Sequence, residues 1–145
     1  MPISDAHVGR SYPATAPYEV SRAKIAEFAA ALGDAENPAY TGEDPIAPPT
    51  FAAVLAAAAW DGLFGDPELG LSLARTVHAD QRFAWRRPLR AGDLVSATLT
   101  IEKVRVRGAA AFVGIAVGLS TVEGEELCVA SSTLVHTSEP TEGAA

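Results

Sequence analysis

His78 and Asp80 stand two residues apart in the stretch Val77-His78-Ala79-Asp80-Gln81-Arg82-Phe83. On an extended strand, positions i and i+2 share a face, so this pair could act as an imidazole–carboxylate dyad. A solvated or interfacial strand uses the same residues. A second carboxylate, Asp34, follows Gly33 and precedes Asn37-Pro38, a setting that ordinary loop chemistry also produces. Eight of the eleven bases fall between Arg75 and Arg107, opposed there only by Asp80, Asp93 and Glu102, so this stretch is +5 and the remainder −12. A basic strip on an acidic chain suits a small acidic or phosphate-bearing partner. It also suits a strand edge protected against aggregation. His7 and His136 lie near the ends, and with one cysteine, Cys128, they compose no metal-ligand set. The chain has neither a phosphate-cradling Gly-rich loop nor a Gly-x-Ser-x-Gly turn.

These side chains need a scaffold, and 145 residues provide for one domain. Hydrophobic residues make up 48% and charged residues 20%, the balance of a chain that can bury a core. The formal charge of −7 argues against nucleic-acid binding through bulk positive charge. A single cysteine excludes an internal disulfide framework. The longest apolar run, Phe51 to Trp60, is about half of what crossing a bilayer requires. The opening Met-Pro-Ile-Ser-Asp resembles no export signal, which leads us to expect a cytoplasmic protein.

Ser21 is a suitable N-cap for a helix in which Ile25, Phe28, Ala29 and Leu32 recur at helical spacing, and Gly33 ends it. Residues 34–50 read as a long loop, with Pro38, Pro45, Pro48 and Pro49 barring regular helix. A second helix is expected from Pro49 or Thr50 to about Gly62, apolar on every side and therefore buried, with Ala56, Ala57 and Ala58 against a sheet. From Thr76 onward the pattern is extended. Val77, Ala79, Phe83 and Trp85 are expected on one face, and His78, Asp80, Arg82 and Arg86 on the other. Pro88 to Asp93 reads as a turn, followed by strands at 94–106, 110–122 and 126–136, the last two joined at Glu123-Gly124-Glu125. Residues 1–136 form the expected domain and 137–145 a frayed tail. One buried helix and a run of antiparallel strands is an α+β pattern.

The loop Gly33-Asp34-Ala35-Glu36-Asn37-Pro38-Ala39-Tyr40 lies ahead of Ala47-Pro48-Pro49-Thr50-Phe51, which opens the buried helix. Together they resemble the MaoC-like hydratase/dehydratase branch of the hot-dog fold. The strand 77–83 and the turn Arg87-Pro88-Leu89-Arg90-Ala91-Gly92-Asp93 narrow the resemblance to the HadA-type subunit of (3R)-hydroxyacyl-ACP dehydratases, the N-terminal MaoC-like dehydratase domain. It covers nearly the whole chain, from about Gly9 to His136.

The resemblance implies an antiparallel sheet wrapped around an Ala-rich helix and syn dehydration of a 3-hydroxyacyl thioester, without cofactor or metal. In this family a loop Asp and His, in the pattern Gly-Asp-x-Asn-Pro-x-His, move the α-proton and protonate the departing hydroxyl. Backbone N–H groups at the helix start steady the thioester oxygen. Asp34 and Asn37 match that motif, but one extra residue separates them and Tyr40 stands at the His position. A tyrosine, with a pKa of about 10, is a poor base at neutral pH.

The resemblance therefore implies an acyl-thioester-binding subunit, with a second MaoC-like hot-dog chain in a heterodimer supplying the dyad; a homodimer is the other pairing. Expected substrate contacts are Pro49, Thr50, Phe51, Val54, Trp60 and His78, and expected carrier contacts are Arg82, Arg86, Arg87 and Arg90. The carrier is acyl carrier protein or CoA, and no nucleic acid or membrane partner is implied. The competing readings are a self-sufficient dehydratase or thioesterase, and a non-catalytic thioester-binding module. A thioesterase of this fold commonly has a carboxylate on or beside the helix, and none occurs between Phe51 and Trp60.

Overall fold

Ser21 opens the first helix, its hydroxyl accepting from the Lys24 amide at 3.0 Å. The computed structural model describes residues 3–140, and in it this helix, α1, spans Arg22–Ala31, buries Ile25 and Ala29, and gives way to Gly33 at φ +77°. A left-handed residue at that point needs glycine to avoid a Cβ clash. The loop that follows is more regular than its prolines suggest. Asn37 accepts from the Ala39 amide, Pro38 occupies the first helical position, and α2 forms over Pro38–Thr41. Proline is excluded from helix interiors but suits a first turn, where its missing N–H has no helical partner to lose.

The central helix begins as a 3₁₀ turn at Pro49–Phe51, continues as α3 over Ala52–Ala58, pauses at Ala59, and resumes as α4 over Trp60–Phe64. Phe51, Ala52, Leu55, Ala56, Ala59 and Leu63 face the sheet and are buried. The expectation of burial on every side is corrected here: Val54 is 47% exposed, and Ala57 and Ala58 lie on the same open face. A single sheet covers one side of a helix, and apolar residues on the other side stay uncovered within one chain. Gly62 has a steric role, because a Cβ there would fall 3.0 Å from Tyr12.

Four long strands follow: β2 Thr76–Trp85, β3 Leu94–Arg107, β4 Ala110–Thr121 and β5 Glu126–Thr137, joined on one side by a short β1 at Tyr18–Glu19. All pairings are antiparallel and the order is β1-β3-β4-β5-β2. The two outer edges differ. Along β3, residues 9–19 run as a strap, with Gly9, Tyr12 and Thr15 amides donating to Ile101, Leu99 and Ala97 carbonyls. Among the described residues β2 pairs only with β5, and no strand lies along its other edge.

β2 does not alternate as expected. The register shifts between His78 and Asp80, leaving Ala79 as a bulge. A bulge inserts one residue and reverses the side of everything before it. His78 thus pairs with Leu134 and joins Phe83 and Trp85 on the helix-facing side, while Val77 pairs with Val135 and joins Asp80 and Arg82 on the outer side. The expected frayed tail from 137 is corrected at its start, because the last strand extends to Thr137 and the Ser138 amide still bonds to the Ala109 carbonyl; 141–145 lie outside the described residues.

The candidate active-site loop and helix start

Asp34 is exposed, and its carboxylate accepts from Asn37 Nδ2 at 3.0 Å. Asn37 also caps Ala39 and accepts from the Thr41 hydroxyl through its carbonyl, so the pair braces the start of α2. Residues 33–38 line a shallow, open concavity. Tyr40 turns away from this rim: it is half-buried against the hydrophobic core, and no hydrogen bond joins it to Asp34 among the described residues. The loop presents a carboxylate without a base beside it.

At the helix start, chemistry removes most donors. Pro48 and Pro49 carry no N–H. The Phe51 amide bonds to the Pro48 carbonyl at 2.9 Å, and the Ala52 amide to Pro49 and Thr50. Thr50, exposed at the turn, keeps the one backbone N–H in 48–52 without such a partner among the described residues. The Phe51 side chain is fully buried, edge-on to Phe28 at 5.2 Å, so it holds the helix in place and its ring touches no open surface. This end is anchored to the 88–93 turn by the Ala47 amide on the Leu89 carbonyl at 2.8 Å and a bridge between Ile46 and Arg90. Beside it, Arg22, Glu43, Asp44, Pro45, Ile46, Arg90 and Ala91 line a cleft of about 680 Å³. Arg22 was not singled out in the sequence; its guanidinium straps the Gly42 and Glu43 carbonyls, a contact with no sequence signature.

Val54 lies on the open face of α3, and Trp60 begins α4 with its ring 5.1 Å from His78, edge to face. The bulge separates His78 from Asp80, whose carboxylate instead accepts from the Thr133 amide and hydroxyl at 2.8 and 3.1 Å. The expected placement of His78 and Asp80 on one face is therefore corrected, and with it the possible dyad: the two side chains lie on opposite sides of the sheet.

The basic strip also divides. Arg87 is largely buried and clamps Asp93 at 2.8 and 3.0 Å and Glu125 at 3.0 Å. Partial burial pushes the Asp93 carboxyl up, but the Arg87 guanidinium and the Arg90 amide outweigh it and hold the group below the usual carboxylate range. This ties the 88–93 turn to the β4–β5 hairpin. Arg86 pairs with Glu126 at 3.2 Å in solvent. Arg90 lines the cleft, and Arg82 lies on the outer sheet face with no side-chain partner among the described residues. Cys128 is buried, and desolvation pushes its thiol up to about 11, unsuited to nucleophilic work at neutral pH.

Comparison with known proteins adds to this geometry. The family model for a FAS1-like dehydratase domain region matches residues 6–130. A UPF0336 protein of Cutibacterium acnes is 56% identical over 137 residues, covering 94% of this chain and 96% of its own. The C-terminally truncated HadBC (3R-hydroxyacyl-ACP dehydratase) complex of Mycobacterium tuberculosis superposes with a TM-score of 0.76 at 28% identity, over 89% of this chain and 96% of the matched one. A MaoC-like dehydratase superposes with a TM-score of 0.79 at 23% identity, over 92% of this chain but 43% of that longer one. The sheet curled around a central helix is a hot-dog fold.

Proposed function

The chain belongs to the FAS1-like dehydratase region family, and from that premise we propose that it is the acyl-thioester-binding subunit of a heteromeric (3R)-3-hydroxyacyl-ACP or -CoA dehydratase. The observation that carries this reading is the loop itself. Asp34 has Asn37 as its side-chain partner, and Tyr40, at the His position, packs half-buried against the core. Syn dehydration needs a base at the α-carbon and an acid at the departing hydroxyl. This loop offers neither an imidazole nor a paired carboxylate, so a second hot-dog chain supplies both.

This subunit's part is to hold and orient the thioester. The Thr50 N–H, at the first turn of the central helix, is the donor for the thioester oxygen, where the helix dipole favours developing negative charge. The open face with Val54, and Trp60 with His78 beyond it, lies along the path of the acyl chain. The unpaired edge of β2 supports a partner of like fold, since exposed sheet edges invite strand addition. The relative superposed above is itself part of a complex. In this reading the chain works in the cytoplasm, without cofactor or metal, on a thioester of acyl carrier protein or CoA. A thioesterase role is disfavoured because the sole carboxylate of α3 and α4, Asp61, is exposed at the far end.

The test follows loss of enoyl absorbance on hydration of a trans-2-enoyl thioester. The chain alone is expected to show no measurable rate, since loss of a general base costs about 10²–10⁴-fold. Adding a MaoC-like partner with an intact Gly-Asp-x-Asn-Pro-x-His motif restores turnover, which then depends on that motif's His and is indifferent to Asp34→Asn. Tyr40→His alone recovers little, because the extra residue after Asp34 displaces the imidazole. Turnover by the isolated chain that collapses on Asp34→Asn would replace this reading with a self-sufficient dehydratase.

A further inference from the structure

The outer face of the sheet, opposite the central helix, carries a surface that the functional reading leaves unused. At its Thr76 end, Arg105, Phe112, Val135 and Val77 stand side by side across all four long strands. Val77 is 65% and Phe112 37% exposed. The next row is Lys103, Gly114, Thr133 and Asp80, and Arg82 follows on β2. Gly114 has no side chain to fill the space between Arg82 and Lys103, and a groove of about 370 Å³ crosses the sheet there.

Arg82, Lys103, Arg105 and Arg107 are exposed, and none has an ion pair or side-chain hydrogen bond among the described residues. The acids beside these cations are Asp80, already bonded to Thr133, and Glu102; Glu126, at the other end of the face, is paired with Arg86. Four unpaired cations around an exposed aromatic ring, on a chain of net charge −7, make a local complement to a carboxylate-rich surface with an apolar tip. A membrane surface is the poorer fit, because the rest of the chain is strongly acidic and anionic lipid would repel it.

The position of the row suggests what such a partner delivers. The central helix starts at the other end of the sheet, near Leu89 and Arg90. If a second hot-dog chain adds antiparallel to the open edge of β2, its own helix start comes alongside this chain's Thr76 end. Cations here would then flank the partner's reacting centre rather than this chain's own.

We infer that the face formed by Arg82, Lys103, Arg105, Arg107, Phe112 and Val77 docks an acidic acyl carrier protein, presenting its acyl chain to the neighbouring subunit; this rests on the heteromeric reading above. The test has two arms. In the first, purified acyl carrier protein is titrated onto the intact chain. Lys103→Glu/Arg105→Glu is expected to weaken binding at least tenfold, Phe112→Ser severalfold, and wild-type affinity to fall steeply with salt. In the second, the two-subunit complex hydrates the same enoyl group on carrier protein and on CoA. The charge reversal raises KM for the carrier-linked substrate alone. Unchanged carrier binding in both variants overturns the inference, as does equal loss on carrier- and CoA-linked substrates. Binding to phosphatidylglycerol vesicles in place of carrier protein also overturns it. A complex inactive on both substrates refutes the heteromeric reading instead, and the binding arm still decides the surface.

Discussion

Arg87 and Arg105 come from the same basic stretch and do opposite work. Arg87 is held by two carboxylates, Asp93 six residues on and Glu125 on a distant hairpin, and is largely shielded from solvent. Arg105 stands in the open on β3 beside Phe112, with no side-chain partner among the described residues. A second clamp repeats the first pattern: Arg10 bonds to Asp66 at 2.8 Å and Glu68 at 2.7 Å, and the Tyr12 hydroxyl donates to Asp66 at 2.7 Å, fastening the edge strap to the segment after α4. Charge density along a chain therefore says little until the pairing is known. Cations that have found carboxylates hold the fold, and those that have not are available to a partner.

The largest effect expected from breaking this contrast is at Arg87. Arg87→Met leaves the mostly buried Asp93 carboxylate without its counter-charge, and removing one partner of such a pair costs about 3–5 kcal/mol when burial is complete. With Asp93 and Arg87 still partly in contact with water, the loss should fall near the lower end, read as a reduced denaturant midpoint.

Acid sharpens the same point in two stages. Desolvation, helped by the Arg75 charge, holds the buried His136 imidazole below its ordinary value of about 6.5. Its contribution to stability is full above that pH and declines as pH drops toward the folded-state value, because the unfolded chain takes up the proton first. His136→Phe should flatten this stage. Asp66, held down chiefly by the Tyr12 and Arg10 hydrogen bonds, and Asp93 form the second stage. Their stabilisation is present above about pH 4 and is lost below it, and Arg87→Met should shrink this stage while leaving the first intact. Denaturant midpoints between pH 8 and 3 separate the two.

The smallest effect should come from the open face. Lys103→Glu/Arg105→Glu removes no ion pair, so stability should change by no more than about 0.5 kcal/mol. A loss comparable to that of Arg87→Met would show that these residues support the fold, and the contrast would fail.

Much of the scaffold is legible in local residue chemistry. Ser21 and Gly33 bracket α1, and the Gly108 and Gly124 turns separate β3, β4 and β5 within a residue or two of the expected ends. Three features resisted. The bulge at Ala79 has no marker in composition, yet it moves His78 to the helix side, away from the face it was expected to share with Asp80. Alanine fits both a buried and an open helix face, so the orientation of Ala57 and Ala58 could not be read from an apolar run. Glu125 meets Arg87 only because two turns converge, and 38 residues separate them along the chain. Tyr40 could be singled out in the sequence because Asn37 and Pro38 stand just before it; its packing against the core required the fold.

The strap of residues 9–19 has a consequence for how far such chains can grow. A strand ladder propagates when each added chain offers a fresh edge, as in fibrils. Here one border of the sheet is already hydrogen-bonded to the chain's own N-terminal segment. Joining two such sheets through β2 leaves a sealed border on both flanks. The strap acts as a chain terminator, and pairing by this route stops at two.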